Sequence, residues 1–312
     1  MSPPLPSVSV VIPTYRRVAG LAGVVAAIGA DRHVSEIVVV DGCRDGSYEL
    51  LKELAETDPR VRPVWQENCG DAAARQTGVE YASEEVVLFL DDDVLAGPGL
   101  AEAHARVHAG RDGLVLVGYM PVDRPAVRRA GDFSTLLYAD EYERMCARYE
   151  RDPSSILSQL WMGNLSLRRS DALRIGFVGP RLLRYHGDQE FGLRCRRAGL
   201  VGRFDRALLA IHAHRRDLET FAGQAWLRGA DRRDLLEAFP DLLSPAELFD
   251  PLPPVARAAV GLASAPLLHR LAVPVLRGAV AGAGRVRAWS AETALARLLR
   301  QVELRRGYHG RR

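Results

Sequence analysis

Three consecutive aspartates, Asp91, Asp92 and Asp93, stand directly behind the apolar run VVLFL at residues 86–90. Carboxylates are the ligands that hard divalent cations prefer; Mg2+ typically takes one or two of them, with substrate phosphates and water filling the other positions. Carboxylates this close also repel one another unless a cation lies among them. The apolar run is short and rich in Val, Leu and Phe, which reads as a strand buried on both faces. The chemistry expected here is metal binding. The alternative is a set of acids that end a strand and cap the helix after Pro98.

Two other apolar runs end in polar groups. SVSVVI (residues 7–12) runs into PTYRR, with Pro13 read as the strand stop, and EIVVV (36–40) runs into DGCRDGS. Between them Val18, Leu21, Val25 and Ile28 form one helical stripe. Ser47 is read as the cap of the helix YELLKELAE, and Asp71 as the cap of the helix through AAARQTGVEYA, with a weaker strand, VRPVW, between them. Strands alternating with helices imply a parallel sheet covered on both faces, an α/β fold. Ligands of such sheets bind outside the carboxyl ends of the strands. The three polar strand ends are therefore expected to line one crevice.

After Gly118 the rhythm changes. Residues 120–160 mix arginines and acids and show no convincing strand. MGNLSLRRSDALRIG reads as a short strand, then a helix from near Ser170. In HGDQEFGLRCRRAGL, Asp188 falls where a helix N-cap belongs and Gly199 where a C-terminal glycine belongs. A strand, ALLAIHAH, follows, and from about Asp231 the chain is rich in Leu, Ala, Arg and Pro and expected to be helical.

The chain has 312 residues, 47% of them apolar and 26% charged, as a soluble globular protein has. Its formal charge of +3 is small for this length and gives no electrostatic signal for nucleic acid, which is not expected as a partner. Lys52 is the only lysine. Cys43, Cys69, Cys146 and Cys195 lie far apart and fit a reducing cytoplasm better than a disulfide framework. No signal peptide is expected from the N-terminus, and the longest apolar stretch, residues 255–283, is broken by Arg257, His269, Arg270, Arg277 and two prolines.

The ordered set SVVIPTYRR, EIVVVDGCRDGS, NCGDAAARQTGVEYA, VVLFLDDDV, MGNLSLRR, GDQEFGLRCRRAGL and AIH resembles the nucleotide-sugar-dependent glycosyltransferases of family 2, over roughly residues 7–230. The resemblance implies the GT-A fold, a mixed Rossmann-like sheet flanked by helices. Residues 1–232 would form the catalytic domain, with 7–119 its nucleotide-binding half and 120–232 its acceptor half. A helical C-terminal extension, 233–312, would follow. It also implies an inverting transfer of sugar from a nucleoside-diphosphate sugar to an acceptor hydroxyl, assisted by Mn2+ or Mg2+. Pro13, Thr14, Tyr15 and Arg16 would pack on the nucleoside, Asp41 would recognise the base, and Arg75 and Asp92 would face the nucleotide. Asp91 and Asp93 would hold the metal, completed by His212 or His214. Asp188 would be the general base, with Glu190 as a second carboxylate or as the base instead. Trp161, Asn164 and His214 would lie toward the acceptor, which the resemblance allows to be a glycan, a lipid-linked carrier or a small molecule.

In the C-terminal segment, apolar stretches alternate with arginines. One reading is helices packed on the catalytic domain; the other is a basic amphipathic surface on an anionic membrane, with the protein peripheral at the inner face. Two enzyme rivals remain. VLFLDDDVL also fits the nucleophile motif of haloacid-dehalogenase-type phosphatases, although that motif normally lies on the first strand and Lys52 is upstream. A nucleotidyltransferase would want a glycine-rich basic loop where this chain has IPTYRR. A non-catalytic nucleotide-sugar-binding protein would have no use for Asp188.

Overall fold

The computed structural model describes residues 4–179, 183–243 and 252–310. The chain forms two compact units. The first comprises Met1–Asp123, Glu143–Pro180 and Asp188–Ala213, and the second Arg124–Tyr142, Arg181–Gly187 and His214–Arg312.

The first unit is built on an eight-stranded sheet: β1 (Val8–Thr14), β2 (Val34–Asp41), β3 (Val61–Trp65), β4 (Val86–Leu90), β5 (Val94–Ala96), β6 (Leu114–Tyr119), β7 (Asn164–Arg168) and β8 (Val201–His212), in the order β3-β2-β1-β4-β7-β6-β8-β5. β3, β2, β1 and β4 run parallel, whereas β7 is antiparallel to both β4 and β6. Every residue of β1 and of β4 is buried, as strands covered on both faces require. Helices α1 (Val18–Gly29), α2 (Ser47–Thr57), α3 (Asp71–Tyr81) and α4 (Leu100–His108) make the crossovers of the first half. Next come α5 (Phe133–Arg151), α6 (Arg169–Ile175) and α7 (Gly187–Arg197). This is the mixed, helix-flanked sheet that the resemblance implies.

Several details differ from expectation. β1 continues to Thr14, so Pro13 lies within it, paired with Val40 of β2. Ser47 and Asp71 are the first residues of α2 and α3, behind Gly46 and Gly70, and Asp188 is the second residue of α7. Helix α5 occupies the stretch that reads as irregular. Its buried residues Phe133, Leu137, Tyr142, Cys146 and Tyr149 repeat at helical spacing, masked in the sequence by the charges between them.

A buried polar network ties α4 to the sheet. Ser166 Oγ lies 2.7 Å from His104 Nδ1 and 2.8 Å from His108 Nε2, and His104 Nε2 lies 3.1 Å from Asn164 Oδ1. Asn164 in turn donates to the Leu208 carbonyl at 2.9 Å. These bonds are all satisfied with neutral imidazoles, and burial holds His104 down at about 3, helped by the neighbouring His108. Burial likewise lowers His108 to about 4.

The second unit contains α8 (Leu218–Ala238), α9 (Pro254–Ala263), α10 (His269–Arg285) and α11 (Trp289–His309). The expected boundary at 232/233 falls inside α8, which belongs whole to this unit. Small residues let α8 and α11 touch backbone to backbone. A Cβ on Gly229 would meet the Leu304 carbonyl, and one on Gly307 would meet the Trp226 carbonyl. Ala222, Val260, Val273, Leu299 and Val302 form one apolar cluster and Phe133, Leu137, Val280 and Ala296 another. Glu141 accepts from Arg228 at 2.6 Å and from Arg300 at 3.1 Å. Burial opposes its ionisation, yet the surrounding arginines outweigh burial and hold its carboxyl well below the usual range.

Two predictions follow from this packing. Gly307→Ala is expected to destabilise the chain by about 2 kcal/mol, since an added methyl meets backbone that no rotamer change can move; urea denaturation reads this. The folded pKa values of His104 and His108 lie below the unfolded value. Their stabilisation is therefore complete above about pH 6.5 and lost as pH falls toward 4, with a slope approaching about 1.4 kcal/mol per pH unit for each. Denaturation midpoints between pH 7.5 and 5, in wild type and in His104→Asn/His108→Asn, measure that slope, which should flatten in the double variant.

Candidate active site

The carboxyl ends of β2, β1 and β4 are neighbours. Thr14 pairs with Asp41 across β1 and β2, and β4 delivers the three aspartates beside β1. The three polar strand ends therefore stand side by side within the first unit.

Each aspartate meets a different partner. Asp91 accepts from Arg75 at 2.6 Å. Asp92 accepts from the Thr14 hydroxyl at 2.8 Å and from the Tyr15 N–H at 3.4 Å. Asp93 accepts from Arg17 at 2.8 Å through one oxygen, and its other oxygen lies 3.2 Å from His212 Nε2. Burial, and the adjoining Asp93 and Asp91, push the Asp92 carboxyl up to about 6, against the pull of Thr14 and Arg17.

Arg17 is a site residue that the sequence reading passed over in favour of Arg16. Arg16 adopts a left-handed conformation, φ 57°, and lies over the Tyr15 ring at 5.1 Å. That turn separates Tyr15, whose N–H reaches Asp92, from Arg17, whose side chain reaches Asp93. The doubled arginine of TYRR was the available signal; only the backbone turn decides which of the two points inward.

Arg75 points inward from α3. It is a buried cation among carboxylates, bonded to Asp91, ion-paired with Asp71 one helical turn before it, and 3.9 Å from Asp188. Asp188 Oδ2 accepts the Met162 N–H at 3.1 Å, which places the half-buried Trp161 next to this carboxylate along the chain. Burial raises the Asp188 pKa above the ordinary carboxylate value, with Asp91 adding to the rise while Arg75 and the Met162 bond work against it. Gly163 backs the same corner, where a Cβ would crowd Asp91 and the Met120 sulfur.

Asp41 is fully buried at the end of β2. Its Oδ1 accepts the Cys43 N–H at 2.9 Å, while its buried Oδ2 meets no donor among the described residues. Burial, with Asp45 and Glu49 nearby, raises its pKa, and the Cys43 and Gly42 N–H groups oppose this.

Three expected site residues are used elsewhere. Glu190 is buried and held by Arg194 through both oxygens at 2.9 Å, and Arg194 also binds the Phe177 carbonyl at 3.0 Å. Asn164 is buried and bonded within the His104 network. His214 lies beyond the end of β8 and belongs to the second unit, where its ring stacks on Tyr138 at 4.1 Å; of the two histidines it is His212 that stands beside Asp93. Ahead of Asp188, within the second unit, Asp231 accepts the N–H groups of Arg184 and Tyr185 at 2.8 and 2.7 Å.

Comparison with known proteins agrees with this arrangement. A profile of glycosyl transferase family 2 matches residues 9–164. A validoxylamine A glucosyltransferase of Streptomyces hygroscopicus subsp. jinggangensis is 30% identical over 239 residues, covering 67% of this chain and 56% of the relative. An undecaprenyl-phosphate 4-deoxy-4-formamido-L-arabinose transferase of Aeromonas hydrophila is 27% identical over 213 residues, covering 60% of this chain and 63% of that protein. The chain thus spans little more than half the length of the glucosyltransferase. Among solved structures, a mannosyltransferase from Pyrobaculum calidifontis in complex with GDP-Man and Mn2+ superposes with a TM-score of 0.60 at 19% identity, covering 94% of this chain and 86% of the other, and so shares the GT-A fold. With the strand ends, the aspartate cluster and half the chain matched by the profile, the protein belongs to glycosyl transferase family 2.

Proposed function

We propose that this chain transfers a sugar from a nucleoside-diphosphate sugar to an acceptor hydroxyl, with inversion at the anomeric carbon. The observation that carries the proposal is the convergence, at neighbouring strand ends, of the buried unpaired oxygen of Asp41 with the Asp93–His212 pair. A buried acceptor without a donor is costly, and a base N–H of a nucleotide would satisfy it. Thr14, paired with Asp41 at the end of β1, and Tyr15 just after it are suited to the ribose and base face, while Arg17 brings a cation suited to a diphosphate.

The donor set of the pair fits a divalent ion. One carboxylate oxygen and one imidazole nitrogen within 3.2 Å suit Mn2+ better than Mg2+, which prefers oxygen alone. Asp93 and His212 would hold it; Asp91, turned to Arg75, departs from the expected ligand set. Among the described residues no group of three or more His, Cys, Asp or Glu is arranged for a metal, which leaves further positions to the substrate's phosphates. A bound ion supplies Lewis-acid stabilisation of negative charge on the diphosphate.

Asp188 is the proposed general base. Burial raises its pKa and so its basicity, the Met162 N–H fixes Oδ2, and Oδ1, 3.9 Å from the Arg75 guanidinium, would take the proton of an acceptor hydroxyl. The acceptor oxygen forms a bond to the anomeric carbon as the carbon–oxygen bond to the diphosphate breaks. The electron pair leaves with the diphosphate, and the hydroxyl proton passes to Asp188. Arg75, between Asp91 and Asp188, would hold the base relative to the aspartate cluster.

The named relatives include a glucosyltransferase of validoxylamine A and a transferase acting with undecaprenyl phosphate, so small and lipid-linked acceptors both enter the assay. The four cysteines are free thiols, which supports a reducing compartment. The phosphatase alternative is set aside by family membership.

Melting temperature against UDP, GDP, dTDP and CDP, each with and without Mn2+, is expected to rise for one nucleotide only when the metal is present, by linkage of binding to folding. Asp93→Ala and His212→Ala should each abolish that rise. Asp188→Asn is expected to lower kcat by about 10^2 to 10^4 while donor affinity stays within about threefold. Isothermal titration alongside steady-state rates separates the two, and a parallel loss of donor binding would remove the base assignment.

A further inference from the structure

The second unit carries an apolar surface that is exposed among the described residues. On α9, Val260 packs inward with Leu299 and Val302, while Val255, Ala258, Ala259 and Leu262 form an exposed stripe on another face. On α10, Val273 and Val280 face the core, and Leu267, just before the helix, continues into Leu271 and Val275 along the exposed side. Val255, Leu262, Leu267, Leu271 and Val275 are between 65% and 84% exposed. Single exposed leucines are ordinary, but large apolar residues recurring at helical spacing on two successive helices mark an interaction surface.

The charge around these stripes identifies the partner. Residues 251–291 contain no aspartate or glutamate and five arginines, Arg257, Arg270, Arg277, Arg285 and Arg287, with His269 beside them. Arg257, Arg270, Arg285 and Arg287 are exposed, whereas Arg277 is half-buried and interacts with Glu303. A second copy pairing through the same surface would set arginine against arginine with no acid to answer it. An anionic bilayer presents apolar depth and negative headgroups together. No helix among the described residues is long and apolar enough to cross a membrane, and α10 is only 17 residues with arginines spaced along it, so such helices would lie in the interfacial plane.

We propose that α9 and α10 form an interfacial membrane-binding surface for anionic phospholipid, with Val255, Leu262, Leu267, Leu271 and Val275 entering the headgroup–acyl boundary and Arg257, Arg270, Arg285 and Arg287 contacting the headgroups. This inference does not depend on the transferase reading, because nothing in it uses the strand-end site.

Sedimentation of the full chain with vesicles of phosphatidylcholine, with and without roughly 30% phosphatidylglycerol, tests it. Binding is expected only with the anionic lipid, weakening with salt. Leu267→Asp/Leu271→Asp should reduce it at least tenfold. Arg257→Gln/Arg270→Gln should reduce it by about fivefold for each arginine removed. All of these positions are exposed, and an unchanged melting temperature confirms that the variants fold; Val275→Asp provides an independent substitution on the same stripe. The proposal fails if the wild-type chain ignores anionic vesicles, if it binds neutral vesicles equally, or if both aspartate variants bind as the wild type does. It also fails if light scattering shows a dimer that Leu267→Asp/Leu271→Asp disperses while lipid binding is absent.

Discussion

Three carboxylates in a row at the end of one buried strand are held together because each has its own hydrogen-bond donors, with Arg17 reaching both Asp92 and Asp93. Asp91 is met by the buried guanidinium of Arg75, Asp92 by a hydroxyl and a backbone N–H, and Asp93 by Arg17 and His212. Like charges this close interact strongly in a partly desolvated setting, and shared compensation would leave at least one of them protonated. Asp92 shares Arg17 with Asp93, and burial with its two acidic neighbours still raises its pKa, which shows how near the cluster lies to that limit.

Much of the surrounding architecture serves this division. α3 exists in part to present Arg75 beneath the aspartates, with Asp71 one turn away to hold it. α7 brings Asp188 to the other side of the same guanidinium, and the Glu190–Arg194 pair pins that helix to the carbonyl oxygens that follow α6. β8 runs twelve residues so that its last one, His212, arrives at Asp93. The sheet supplies rigidity here and the helices supply charge.

The second unit solves a different problem. With arginine as almost its only basic residue, it buries guanidinium around single acids such as Glu141, and a carboxylate ringed by several arginines is costly to remove because it would leave buried cations unanswered. Where α8 and α11 cross, Gly229 and Gly307 replace side-chain packing with backbone contact. α9 and α10 spend fewer apolar residues inward and leave more outward, which is the pattern of helices with a second surface to satisfy.

Strands β1 to β4, their parallel order and the gathering of Asp41, Asp91, Asp92 and Asp93 at one edge were legible in the sequence, because buried strands require continuous apolar runs and parallel sheets deliver their ligand sites to one end, whereas β5 and β6 were not read. Helix α5 was not, since its apolar repeat is spread among charges that read locally as loop. The resemblance to the family pointed to Asp188 as the base and to His212 or His214 beside the aspartates, without choosing between the two histidines. Only the tertiary structure decided which partner each acid takes: that Arg17 and not Arg16 reaches Asp93, that Arg75 lies inside, that Glu190 is already bound, and that His214 belongs to another unit. Residue type and order along the chain determine what chemistry a group can perform. Whether it is free to perform it depends on neighbours distant in sequence, and a charged side chain is committed or available according to contacts that local pattern does not encode.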